Sequence, residues 1–153
     1  MHIKKVMDKK LSAHFTLSEL TKSSTAIRKG IENIPTEEAL ENLTKLAQNV
    51  LEKIRTEYGK PIIVSSGYRC PKLNTKIGGA KNSDHMYGAA ADIRTVSDSI
   101  ADNKTLFLLI VEMAKEGKIK CRQILDEYNY NWIHVSINHS KNRVKNNEVL
   151  HIK

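Results

Sequence analysis

The segment Trp132-Ile133-His134-Val135-Ser136-Ile137 constrains the fold more than any other stretch of the chain. Strict alternation puts Ile133, Val135 and Ile137 on one side of an extended backbone and Trp132, His134 and Ser136 on the other. Such a strand belongs to a sheet that is packed on one face only. Its aliphatic side needs a covering layer, and its open side holds a histidine on rigid backbone, where a ligand can be positioned without relying on a loop. The preceding run, Cys121 to Glu127, reads as a partner strand joined through Tyr128-Asn129-Tyr130 in a hairpin.

Helices supply the covering layer. Pro35-Thr36-Glu37-Glu38 places acidic residues in a first helical turn, and Leu40, Leu43, Ala47, Val50, Leu51 and Ile54 then recur at helical spacing as far as Gly59. A second core helix spans 103–116, with Leu106, Leu109, Ile110 and Met113 on one face and Gly117 as its stop. Thr16-Leu17-Ser18-Glu19 has the form of a capping box and opens a short helix to about Ser23. Pro61 to Ser66 is β-branched and reads as a short strand, whereas Cys70 to Gly88 reads as a long structured loop of the kind that usually carries function. The pattern predicts an α+β domain with a small antiparallel sheet and helices packed on one face.

A chain of 153 residues supports one core and one active site. Residues 1–13 are basic and aperiodic and read as a leader, which leaves 14–153 as a single domain. The excess of 25 Lys and Arg over 17 Asp and Glu favours an anionic partner. Those cations are scattered, and five Tyr, two Phe and one Trp offer little stacking surface, so nucleic acid is not the expected partner. No apolar run is long enough for a secretion signal or a membrane span, so the expectation is a monomer made in the cytoplasm without a signal peptide and not bound to membrane. Cys70 and Cys121 stand in unrelated contexts without a CxxC pair and read most simply as reduced thiols outside any metal site, with one disulfide between them left open by the sequence.

Chemistry concentrates in Ser83-Asp84-His85-Met86-Tyr87-Gly88-Ala89-Ala90-Ala91-Asp92. His85 and Asp92 are two zinc-type donors, and the alanines before the carboxylate leave room for close approach. His134 is the candidate third ligand, and three protein donors with a fourth position for water is the catalytic arrangement. Read as bare chemistry, the same residues also fit a surface His and a turn Asp.

Ser66-Gly67-Tyr68-Arg69, Gly78-Gly79-Ala80, the His85 and Asp92 segment and the His134 strand, with His14-Phe15-Thr16-Leu17-Ser18-Glu19-Leu20 upstream, together resemble a known family. It is the zinc D-Ala-D-Ala carboxypeptidase and L-Ala-D-Glu endopeptidase family, and the likeness is closest to its short phage-type members, from residue 14 to about 140. The resemblance implies a Hedgehog/DD-peptidase type α+β fold, one zinc held by His85, Asp92 and His134, and peptidoglycan peptides as substrate in a phage or prophage lysis role. It also points to Arg69 for substrate binding and oxyanion stabilisation, a task suited to a permanently charged planar fork. Selectivity among carboxypeptidase, dipeptidase and endopeptidase action rests with the loops that close the cleft.

The implied reaction is hydrolysis, with a carboxylate taking a proton from water at the metal. Many relatives carry that carboxylate three residues before the last histidine, where this chain has Asn131. The short members instead imply Glu127 at the end of the preceding strand. Asp126 competes, because Ile124 and Leu125 are both apolar and alternation does not say which acid faces the metal. Ser83 and Tyr87 flank His85 and are candidates for orienting substrate, while His14 and His139 read as surface residues. Asn131 also keeps open an alternative, a zinc-binding or wall-binding module of the same fold without catalysis.

Overall fold

The computed structural model describes residues 9–153. Helix α1 (Leu17–Thr21) opens on the expected capping box: the Glu19 amide donates to Thr16 Oγ1 at 3.2 Å, and Glu19 Oε1 accepts from the Thr16 amide at 3.3 Å. A further short helix, α2 (Ser24–Lys29), follows on the Ser23 cap. The expected long amphipathic helix is built as α3 (Glu37–Leu46), a π-helical turn (Ala47–Leu51) and α4 (Glu52–Tyr58), with right-handed helical backbone at both junctions. Within the expected loop, Pro71 starts α5 (Pro71–Lys76) and Ser83 caps a 3-10 turn (Asp84–Tyr87). Helix α6 (Ile100–Lys115) is the second core helix, capped at Ser99 and so three residues longer at its start than periodicity alone indicates.

Five strands form one sheet in the order β1-β2-β4-β3-β5. They are β1 (Ile62–Ser66), β2 (Ala90–Thr95), β3 (Gln123–Glu127), β4 (Trp132–Ser136) and β5 (Glu148–Ile152). The first four pair antiparallel, as expected, and β5 adds a parallel edge along β3. The sheet is therefore mixed. The hairpin between β3 and β4 turns through Tyr128, Asn129 and Tyr130, all three with positive φ.

One face of the sheet carries the core. Ala91, Ile93, Ile124, Ile133 and Val135 meet Leu43, Leu46, Val50, Ile54, Leu106 and Ile110 from the helices, and all are fully buried. The alternation of β4 thus falls as its sequence requires. The chain joins this core ahead of the boundary expected at residue 14: Leu11 is buried and its carbonyl accepts from Gln48 Nε2 at 3.0 Å. The first eight residues of the expected leader lie outside the described residues. Among the described residues no helix is long and apolar enough to cross a membrane.

Candidate metal centre

The open face of the sheet gathers the candidate ligands. Register places Asp92 of β2 directly opposite His134 of β4, so two of the three are cross-strand neighbours on the same face. The third arrives from the 3-10 turn. Ser83 Oγ accepts from the His85 amide at 3.2 Å at its start, and Gly88 ends it with φ +69°. A side chain at Gly88 would begin 2.2 Å from the Ala39 carbonyl oxygen, so only glycine lets the turn seat against α3. Asn42 of α3 then holds it, donating to the Tyr87 carbonyl at 2.8 Å.

His85 Nδ1 lies 2.7 Å from the Gly67 carbonyl oxygen, which can only accept, so Nδ1 carries the proton and Nε2 is left as the free donor atom. That Nε2 is 3.3 Å from Asp92 Oδ1, and His134 Nδ1 is 3.0 Å from the same oxygen. All three donor atoms lie within 4.8 Å of one another. A tetrahedral zinc ion with bonds of about 2.1 Å separates its donors by about 3.4 Å. The residues therefore fit zinc in donor type and in spacing. Burial by itself would raise the Asp92 carboxyl, but the adjacent His85 and His134 overcome it and hold the group well below the usual carboxylate range.

Arg69 closes one side of the centre. Its Nη2 donates to Asp92 Oδ2 at 3.3 Å, its Nε to Ser66 Oγ at 3.1 Å and its Nη1 to Asn74 Oδ1 at 3.3 Å. Burial lowers its pKa, while Asp92 and Glu127 pull the other way. A guanidinium stays charged through such a shift.

The centre opens into a cleft of about 440 Å³ whose lining includes Arg69, Ser83, Leu125, Glu127 and Trp132. Glu127 pairs in register with Trp132 and Leu125 with His134, so the cleft face of β3 carries Glu127. Trp132 Nε1 donates to Glu127 Oε2 at 2.8 Å and fixes that carboxylate at the rim. Asp126 points the other way, toward the helical layer, and is bound there by His151 of β5. Of the two acids left open by the sequence, Glu127 is the one that shares the cleft.

The other site candidates divide. Ser83 lines the cleft, with its hydroxyl also serving as the cap. Tyr87 was a candidate for substrate contact, yet it stacks on His139 with ring centroids 4.5 Å apart and is not part of the cleft lining. His139, expected at the surface, has a buried side chain with Nε2 2.9 Å from Asp84 Oδ1. His14 is half exposed and bonds Glu52, as a surface histidine would. Cys70 and Cys121 are free thiols apart from the donor cluster, and burial pushes Cys121 up to about 12.

Sequence reasoning missed a cluster at the far end of the cleft, where Asp84 meets Arg122 and Arg143. Its one sequence signal was an acid placed directly before His85, in a turn that otherwise has small and polar residues.

Comparison with known proteins adds two findings. The family model described as Peptidase M15 matches residues 13–136. The zinc D-Ala-D-Ala carboxypeptidase of Streptomyces albus G is 50% identical over 44 residues, which are 28% of this chain and 17% of that protein. The likeness to that relative thus covers a small part of its length.

Proposed function

The chain belongs to the peptidase M15 family, and from that membership we propose that it is a zinc-dependent peptidase that hydrolyses D-amino-acid-containing peptides of bacterial peptidoglycan. The observation that carries the reading is the convergence of His85, Asp92 and His134 on one point of the open sheet face, with Glu127 and Arg69 lining the same cleft. Zinc is the cofactor to which the family and this donor set both point. When bound, it supplies Lewis acidity, which lowers the pKa of water from about 16 to near 7 and polarises a carbonyl.

The chain's own residues account for the rest. Glu127 takes the proton of the attacking water on a carboxylate oxygen and returns it to the leaving amine, and the Trp132 indole keeps that carboxylate turned into the cleft. Arg69 presents positive charge where the scissile carbonyl oxygen becomes negative. His85 and His134 are held by strand and capped-turn geometry rather than by a mobile loop, so the site costs little reorganisation. The net charge of +8 favours association with an anionic wall, which suits the lysis role of the phage type that we include in this proposal.

The test is incubation of the zinc-loaded chain with purified peptidoglycan, followed by mass analysis of the released peptides. Release of D-amino-acid-containing fragments that stops on metal removal is the expected result. Tight zinc without any released peptide would overturn the enzyme reading in favour of an inactive wall-binding module, which Asn131 in place of an acid permits.

A further inference from the structure

The far end of the cleft is built around charge. Asp84 is buried, with Oδ2 2.8 Å from Arg122 Nη1 and Oδ1 3.4 Å from Arg143 Nη1. One carboxylate therefore faces two guanidiniums, with His139 Nε2 on the same oxygen as Arg143 at 2.9 Å. The next acid, Glu148, is bonded by Gln123 at 2.6 Å and by Lys145 at 3.3 Å, and also lies within the field of Arg122. The cluster has more positive charge than Asp84 can match.

Arg122 is fixed in place. Its Nε donates to the Arg143 carbonyl at 2.8 Å, and Nη1 also reaches Gln123 Oε1 at 3.0 Å. Its Nη2, and the Nε and Nη2 of Arg143, have no hydrogen-bond partner among the described residues, although both side chains line the cleft. No buried polar side-chain atom among the described residues lacks a partner, so these donors face cleft solvent. Arg122 is buried and braced, whereas the Arg143 side chain is one-third exposed and adaptable.

Position along the strands gives the cluster a direction. Leu125 pairs with His134 at the metal donors; Glu127 lies two residues toward the hairpin, and Arg122 lies three residues the other way. At about 3.4 Å per residue, Arg122 begins about 10 Å from the level of the metal donors, a gap that its own side chain partly spans. A peptide lying along β3 on the open face of the sheet thus meets the proton-transferring acid on one side of the donors and spare guanidinium donors on the other.

We infer that Arg122 and Arg143 form an anion subsite that binds a carboxylate of the substrate peptide, one or two residues from the scissile bond. The inference rests on the peptidase reading for its substrate class. Asp84 orients both guanidiniums, and the subsite selects acidic peptides over their amidated counterparts through charge-assisted hydrogen bonds.

The test is an NMR titration of the full chain without metal, using acetyl-L-alanyl-D-glutamic acid and its diamide as probes. The acid should bind about tenfold more tightly than the diamide. Arg143→Gln should bring the two within about twofold of each other by weakening binding of the acid. Arg143 is the variant of choice because its side chain is partly exposed, whereas loss of Arg122 would leave Asp84 buried beside a missing partner. Equal binding of acid and diamide, binding of neither, or a preference that survives Arg143→Gln each overturns the subsite. Peptide release from peptidoglycan is a separate readout: activity without the preference removes this inference alone, and the preference without activity removes the peptidase reading alone.

Discussion

Asp126 and Glu127 are neighbouring carboxylates on one strand, and the pleat of β3 sends them into opposite layers of the molecule. Glu127 stands at the cleft, bonded to an indole N–H and within the field of Arg69. Asp126 is buried against the helical face, where His151 of the edge strand engages it. The two acids share residue class, strand and near-identical sequence position, yet one sits where chemistry is possible and the other ties β5 to the sheet. Which face a side chain occupies, not what it is, separates the acid at the cleft from the acid in the core here.

The comparison breaks first at the metal donors, since Glu127 has a role only if that face holds the ion. Asp92→Ala should reduce zinc from one per chain to near zero by metal analysis, because two histidines alone leave the site a ligand short. Zinc retained at full stoichiometry in that variant would mean that the ion sits elsewhere.

Glu127→Gln keeps size and the contact with Trp132 but removes the proton acceptor. Zinc should remain while kcat falls by about 10² to 10⁴. Asp126→Asn assayed beside it should retain most of the activity; if it is the inactive variant instead, the roles of the two faces are reversed.

Trp132→Phe sharpens the account of how Glu127 is held. Loss of the 2.8 Å indole bond should lower kcat about tenfold with little change in KM, because the carboxylate is then no longer held toward the cleft. An unchanged kcat for Trp132→Phe would assign the indole to packing alone.

The smallest effect belongs to the structural acid. Asp126→Asn exchanges a carboxylate contact with the exposed His151 for an amide one, and should cost about 1 kcal/mol of stability, read from the denaturant midpoint at unchanged slope. A loss of several kcal/mol would show that β5 depends on this pair more than its exposure indicates.

Much of this molecule is legible in one dimension because local periodicity records burial. The β4 alternation placed His134 on the open face, the capping box marked α1, and helical spacing from Leu40 to Ile54 marked the covering layer. Strand β2 escaped notice because Ala90-Ala91-Asp92 has neither β-branched residues nor alternation, its small side chains being buried on both faces. Strand β5 escaped because an edge strand that is mostly exposed carries little hydrophobic pattern.

What the sequence determined by itself was the donor chemistry: two imidazoles and a carboxylate in recognisable surroundings, a motif that points to Arg69, and strands and helices whose hydrophobic period allows one packed face. Only the tertiary structure decided the parity of β3. Ile124 and Leu125 are both apolar, so the face of Glu127 was set by the pairing of Leu125 with His134 across the hairpin. Only the tertiary structure brought Asp84 to Arg122, 38 residues away, and turned Tyr87 from the cleft toward His139. Register and long-range charge pairing depend on where strands end up relative to one another, and that geometry is paid out by the whole fold rather than by any local run of residues.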